Sequence, residues 1–125
     1  MSLRIAMAAV MVAASASIVG AVTLDSAPLG NPTGKTLTCR VVNVGSKPIM
    51  VTARLLQSSG VNIATSTTSP CNAVIPLNPH ASCTASLTGT IFARCNVTSS
   101  SSRIRATLAR EVGGVAEVIV PVTTK

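Results

Sequence analysis

The stretch Thr36-Leu37-Thr38-Cys39-Arg40-Val41 decides the fold. Leu37, Cys39 and Val41 alternate with Thr36, Thr38 and Arg40. That is the period of two that sends successive side chains to opposite faces of a β-strand. Asn43-Val44-Gly45-Ser46 follows as a turn cluster.

The same period returns along the chain. Ile49, Val51, Ala53 and Leu55 alternate with Met50, Thr52, Arg54 and Leu56. After the Ser58-Ser59-Gly60 turn, Val61 to Ala64 reads as a short third strand, and Cys71 to Ile75 as a short edge segment. Leu77-Asn78-Pro79-His80-Ala81 is a turn, because Pro79 fixes its own backbone angle and disfavours helix before it. Cys83, Ala85 and Leu87 form the next inward set. Ile91, Ala93, Cys95 and Val97 form another, with Phe92, Arg94 and Asn96 facing outward. Ile104, Ala106 and Leu108 oppose Arg103, Arg105 and Thr107. Gly113-Gly114 is a hairpin turn that accepts positive φ, and Val115 to Val120 is the last strand, with Pro121 at its end or on a sheet edge. About seven or eight short antiparallel strands at this spacing predict an all-β, immunoglobulin-like β-sandwich over residues 36–125.

Residues 22–35 carry Pro28, Gly30, Asn31, Pro32 and Gly34 and read as an irregular lead-in. Residues 1–21 read as a signal peptide. Arg4 is the only charge before Asp25, Ile5 to Val12 is an apolar run, and small residues follow it. Two sites fit cleavage, Ala14-Ser15-Ala16 and Val19-Gly20-Ala21, and the second gives the more usual length. The alternative is a retained anchor, since Ile5 to Leu24 is uncharged. Its many Ala, Ser and Gly residues insert weakly, so the sequence favours a secreted or periplasmic protein with no transmembrane segment after removal of the leader.

The composition limits the core. The chain has one aromatic residue, Phe92, and neither Trp nor Tyr. A core of Val, Ile, Leu and Ala buries less area per residue than an aromatic one, so covalent staples help it. Cys39, Cys71, Cys83 and Cys95 allow three pairings. No Cys-x-x-Cys motif is present and His80 is the lone histidine, so disulfides outrank a metal site in an exported chain. Cys39 and Cys95 share the inward phase of long strands and meet across the core. Cys71 and Cys83 flank the Pro76 and Pro79 turn and close a local loop. The first bridge parallels the inter-sheet disulfide of immunoglobulin domains.

The run Thr38-Cys39-Arg40-Val41-Val42-Asn43-Val44-Gly45 with Ile49-x-Val51, the Leu77-x-Pro79-x-Ala81 turn, and Cys95 followed by Arg103-Ile104-Arg105-Ala106 resemble small exported bacterial immunoglobulin-like β-sandwich proteins. The resemblance covers Thr36 to Leu108. It implies a fold and a compartment and carries over no functional residue.

The inventory for catalysis is thin. Asp25, Glu111 and Glu117 are the three acids and His80 is the one imidazole. Asp25 falls in the lead-in, and the two glutamates flank a solvated hairpin. His80 has Ser82 nearby but no local acid to orient it, so it reads as a turn residue. No phosphate loop, calcium loop or zinc signature occurs. The sequence therefore predicts a non-catalytic module without cofactor or metal, acting through its surface. Alternatives are a subunit of a surface or fibre assembly, and a small exported inhibitor presenting the Cys71–Cys83 loop.

The charge supplies the one lead to a partner. Ten Lys and Arg residues face three acids, for a formal +7. Arg54, Arg94 and Arg105 take the outward phase of their strands, as does Phe92. If those strands neighbour one another, they form a stripe suited to an acidic polysaccharide, an anionic surface or an acidic protein patch. Nothing in the sequence specifies nucleic acid. The plainer alternative is that the Arg stems cover apolar surface and keep the sheet soluble.

Overall fold

A computed structural model describes residues 21–124. The expected leader lies, apart from Ala21, outside the described residues. The described chain is an all-β protein whose antiparallel sheet curls into a half-barrel. Its strands are β1 (Val22–Asp25), β2 (Leu29–Gly30), β3 (Thr36–Asn43), β4 (Val51–Leu56), β5 (Ser66–Thr67), β6 (Ser82–Leu87), β7 (Phe92–Ser99), β8 (Ile104–Val112) and β9 (Val115–Thr124). No helix among the described residues is long and apolar enough to cross a membrane.

The sheet order runs β2-β7-β1-β9-β8-β3-β6-β5, with β4 also paired to β7. β1 and β4 hold opposite edges of β7, because both pair with its Asn96 to Ser99 stretch. β1 joins the two halves: it pairs with β7 along its length and with Thr123 and Thr124 of β9. The irregular lead-in expected over residues 22–35 is therefore corrected. It supplies β1 and β2, and Ser26 N–H donates to Cys95 O between them at 3.0 Å. These strands are too short for a period of two to show, and they exist because β7 offers them a backbone edge.

The period of two decides burial. Leu37, Cys39 and Val41 of β3 face Val51, Ala53 and Leu55 of β4 and Ala93, Cys95 and Val97 of β7 in one buried cluster. Leu87, Leu108 and Val122 extend it, and Leu77 plugs it from a loop. Phe92 is 69 % exposed, so the core contains no aromatic ring. Its ring lies over Gly30, where an added Cβ would stand 3.2 Å from it. A side chain at Gly30 would displace the ring from its cross-strand position.

Both disulfides join the expected partners, Cys39 to Cys95 and Cys71 to Cys83. The first ties β3 in one half of the sheet to β7 in the other. The second ties a single 3₁₀ turn, Ser69–Cys71, to β6.

Two expected strands are absent. Val61 to Ala64 contributes only an isolated bridge between Leu56 and Asn62. The Asn62 Oδ1 accepts Leu55 N–H at 3.1 Å and Ala64 N–H at 3.2 Å, so a side chain replaces a ladder carbonyl. Cys71 to Ile75 turns away after a bridge between Asn72 and Thr52, because Ala73 takes φ 61°. Ile91, expected on the inner face, precedes β7 and is exposed.

The hairpin glutamates are not simply solvated. The ladder between β8 and β9 shifts register so that Arg110 pairs with Val118 and Glu111 with Ala116, leaving Glu117 as a bulged extra residue. Glu117 accepts from Lys35 and from Arg110 Nε at 3.1 Å, while Arg110 also donates to Gly30 O at 3.1 Å. These contacts lace β9 to the segment around β2, where no backbone ladder joins them. The Lys35 hydrogen bond first, and then Arg110, hold the Glu117 carboxyl below the usual carboxylate range. A lowered folded value means that this stabilisation is present above the unfolded glutamate range and is lost as pH falls through the folded value. We expect Glu117→Gln to flatten the acid side of a melting temperature against pH profile by a small amount, as befits a half-exposed pair. An unchanged acid limb would show that the lacing adds nothing.

Candidate functional site

Three connections meet at one end of the half-barrel: the β3–β4 loop, the Leu77 to Ala81 turn and the β7–β8 hairpin. They enclose a cleft of about 680 Å³. Lys47, His80 and Arg103 stand on its walls together with Ser46, Ser100 and Ser101. None of the three acids lines it.

Asn43 holds this end together. It is fully buried at the last position of β3. Its side-chain amide donates to Lys47 O at 2.8 Å and to Leu77 O at 2.9 Å, and its Oδ1 accepts Gly45 N–H at 2.9 Å. Its backbone N–H donates to Ala81 O at 3.1 Å, and its carbonyl accepts His80 N–H at 2.8 Å. One residue thus fixes both the loop that carries Lys47 and the turn that carries His80. His80 has φ 64°, a left-handed conformation that this residue type tolerates better than most.

The third wall is fixed in the same manner. Val44 N–H donates to Arg103 O at 3.0 Å. Gly45 lies so close to Arg103 that an added Cβ would come within 2.9 Å of the Arg103 Cβ. Ser100 Oγ accepts Met50 N–H at 3.0 Å and Ser101 Oγ accepts Arg103 N–H at 3.1 Å. A hydroxyl that has accepted a backbone N–H keeps its own O–H to donate. The cleft therefore presents cationic and hydroxyl donors in a preset arrangement, the donor set that an anion accepts from.

The charges are segregated. Asp25 pairs with Arg94 at 3.4 Å, and its Oδ1 also accepts from Asn96 at 3.0 Å. Glu111 accepts from Thr38 Oγ1 at 2.8 Å, and Glu117 is held by Lys35 and Arg110. Arg40, Lys47, Arg54, Arg103 and Arg105 have no acidic partner among the described residues. Glu111 lies eight positions beyond Arg103 along β8, about 26 Å, so the acids of the hairpin end barely offset the potential at the cleft.

The residues expected to form an arginine stripe are only partly together. Arg54 and Arg94 do share the outward face of the paired β4 and β7, and Phe92 belongs to that face further along β7. Arg105 does not join them. β8 pairs with β3 and β9, and β1 and β9 separate it from β7 in the sheet. Arg94 is further engaged by Asp25, which sits in β1 and not in an irregular lead-in. Sequence reasoning missed the cleft because its residues belong to turns. The available signal was Asn43, a polar residue on an inward phase, which marks a buried amide with loops to organise.

Among the described residues no group of three His, Cys, Asp or Glu could hold a metal ion. No family model, no curated protein and no solved structure matches the chain.

Proposed function

We propose that this chain is an exported, non-catalytic binding module built on an immunoglobulin-like β-sandwich, and that its cleft takes an anionic ligand. The observation that carries the reading is the convergence of Lys47, His80 and Arg103 with serine hydroxyls on a cleft that no carboxylate lines. Charge focused in a concave site raises the local concentration of an anion and speeds its association. The buried Asn43 network arranges these donors before any ligand arrives, which lowers the ordering cost of binding. Two disulfides support an oxidising compartment. Cleavage after Ala21 would leave β1 whole, since β1 begins at Val22. The Cys39–Cys95 bridge from one half of the curled sheet to the other supports the immunoglobulin-like reading, as does the resemblance to small exported bacterial sandwiches.

Retention on a heparin matrix tests the reading. We expect Lys47→Glu with Arg103→Glu to weaken retention at physiological salt by about tenfold or more per charge. We expect Arg54→Ala with Arg94→Ala to leave it nearly unchanged. The opposite pattern would move the site to the face of β4 and β7.

A second reading, a subunit of a surface assembly, draws on one observation. Among the described residues β9 meets β1 only at Thr123 and Thr124, so there Val115 to Val122 has a strand on one side alone, and Val115 and Ile119 are exposed. Such an edge can accept a neighbouring strand. Size-exclusion chromatography over a concentration series separates the two readings, with a persistent monomer favouring the binding module.

A further inference from the structure

An apolar shelf adjoins the basic cleft. Val74 is 71 % exposed and Ile75 46 %, in the segment that follows Ala73, and Met50 is also exposed. Met50 and Ala73 line a second, shallow depression of about 390 Å³, and Ser100 belongs to both it and the cleft. The cleft and this depression are therefore continuous, and Val74 and Ile75 follow Ala73 at the border of the depression.

The shelf is held rigidly. The Cys71–Cys83 bridge anchors its base. Ile49 and Leu77 exchange backbone hydrogen bonds at 3.1 and 2.7 Å, and Asn72 bridges to Thr52, so the 73–76 segment bulges between two fixed points. Val74 N–H donates to Asn72 Oδ1 at 3.2 Å, and Ala73 takes its left-handed conformation beneath the bulge. A stapled loop that keeps two β-branched apolar side chains in water costs little to order on binding and gains from their burial. Exposed apolar groups beside a polar site mark an interaction surface.

Resting on the reading of the cleft as an anion site, we propose that the ligand is an extended polypeptide segment in which carboxylates sit next to an apolar side chain. The carboxylates answer Lys47, His80 and Arg103, and the apolar side chain covers Val74, Ile75 and Met50. Charge complementarity fixes the acidic half, because no acid lines the cleft. The shelf decides against an acidic glycan, which would satisfy the cations and leave the apolar groups in water.

Fluorescence anisotropy on the full chain tests this with three labelled probes. One is a synthetic peptide containing Glu and Leu, the second is the same peptide with Ser for Leu, and the third is a short heparin-derived oligosaccharide. We expect the Glu-Leu peptide to bind most tightly, and Val74→Ser with Ile75→Ser to weaken it about tenfold without affecting the other two. Both positions are exposed, so the variant should keep its fold, which circular dichroism checks. A Glu-Leu peptide that binds no tighter than its Ser counterpart, or that ignores the shelf variant, overturns the proposal and leaves the cleft standing. Binding of all three probes that ignores Lys47→Glu with Arg103→Glu overturns the cleft itself. Tightest binding by the oligosaccharide overturns the polypeptide in favour of a glycan.

Discussion

Cys39→Ala with Cys95→Ala lowers the unfolding free energy by about 4 kcal/mol, on the loop-entropy model for a long closed loop. The two residues lie 56 apart in sequence, so the bridge removes many open conformations from the unfolded chain. Both are fully buried between β3 and β7, and their neighbours are aliphatic. Domains of this size are stable by only about 5–15 kcal/mol. A loss of about 4 kcal/mol is therefore a large fraction of the stability. Cys71→Ser with Cys83→Ser removes a bridge of separation 12, whose shorter loop costs less to lose, about 3 kcal/mol. Urea unfolding of both variants beside the oxidised parent gives the comparison. If the local bridge proves the more costly, the staple across the half-barrel is not what holds the two halves together.

The second large effect is expected at Asn43. Asn43→Ala leaves Lys47 O and Gly45 N–H without this partner, and takes from Leu77 O one of two bonds, the other coming from Ile49 N–H. Orphaning buried polar groups costs about 1–3 kcal/mol each where water cannot reach them. Some relaxation is available at the loop ends, so the net loss is about 3 kcal/mol. The consequence for function exceeds the consequence for folding. Asn43 is the common anchor of the Lys47 loop and the His80 turn, so the variant should lose heparin retention even under conditions where it remains folded. Urea unfolding and retention measured on the same preparation separate the two. A variant that is destabilised yet retained as well as the parent would show that the cleft does not depend on this anchor.

What the sequence revealed and what it hid have a common physical reason. Leu37, Cys39 and Val41 could be placed because a half-buried antiparallel strand writes its inner face into every second residue. The same rule placed Cys95 opposite Cys39 and made the disulfide pairing readable. β1 and β2 escaped because four and two residues are too few to display a period. Asn62 escaped because its side chain imitates a backbone carbonyl, a local substitution that breaks a strand without any proline or glycine. Arg105 was grouped with Arg54 and Arg94 because outward phase is local, whereas strand order is not. β1 and β9 intervene between β7 and β8, and no stretch of sequence announces that. The cleft was hidden for the same reason. Lys47, His80 and Arg103 come from three turns, and only the topology brings them to one end.

Polarity along the molecule follows from this arrangement. At the hairpin end, Glu117 pairs with both Lys35 and Arg110 and laces β9 to the segment around β2. At the loop end, Lys47 and Arg103 have no acidic partner among the described residues. The acids are spent on structure, and the cations that remain at the cleft are available to a ligand.

Backbone amide chemical shifts during titration with the heparin-derived oligosaccharide test this account most directly. It predicts that the largest changes fall on Lys47, His80, Ser100, Ser101 and Arg103, with little change on β7 around Arg94. Changes centred on Arg54, Arg94 and Phe92, with the cleft amides unmoved, would contradict it.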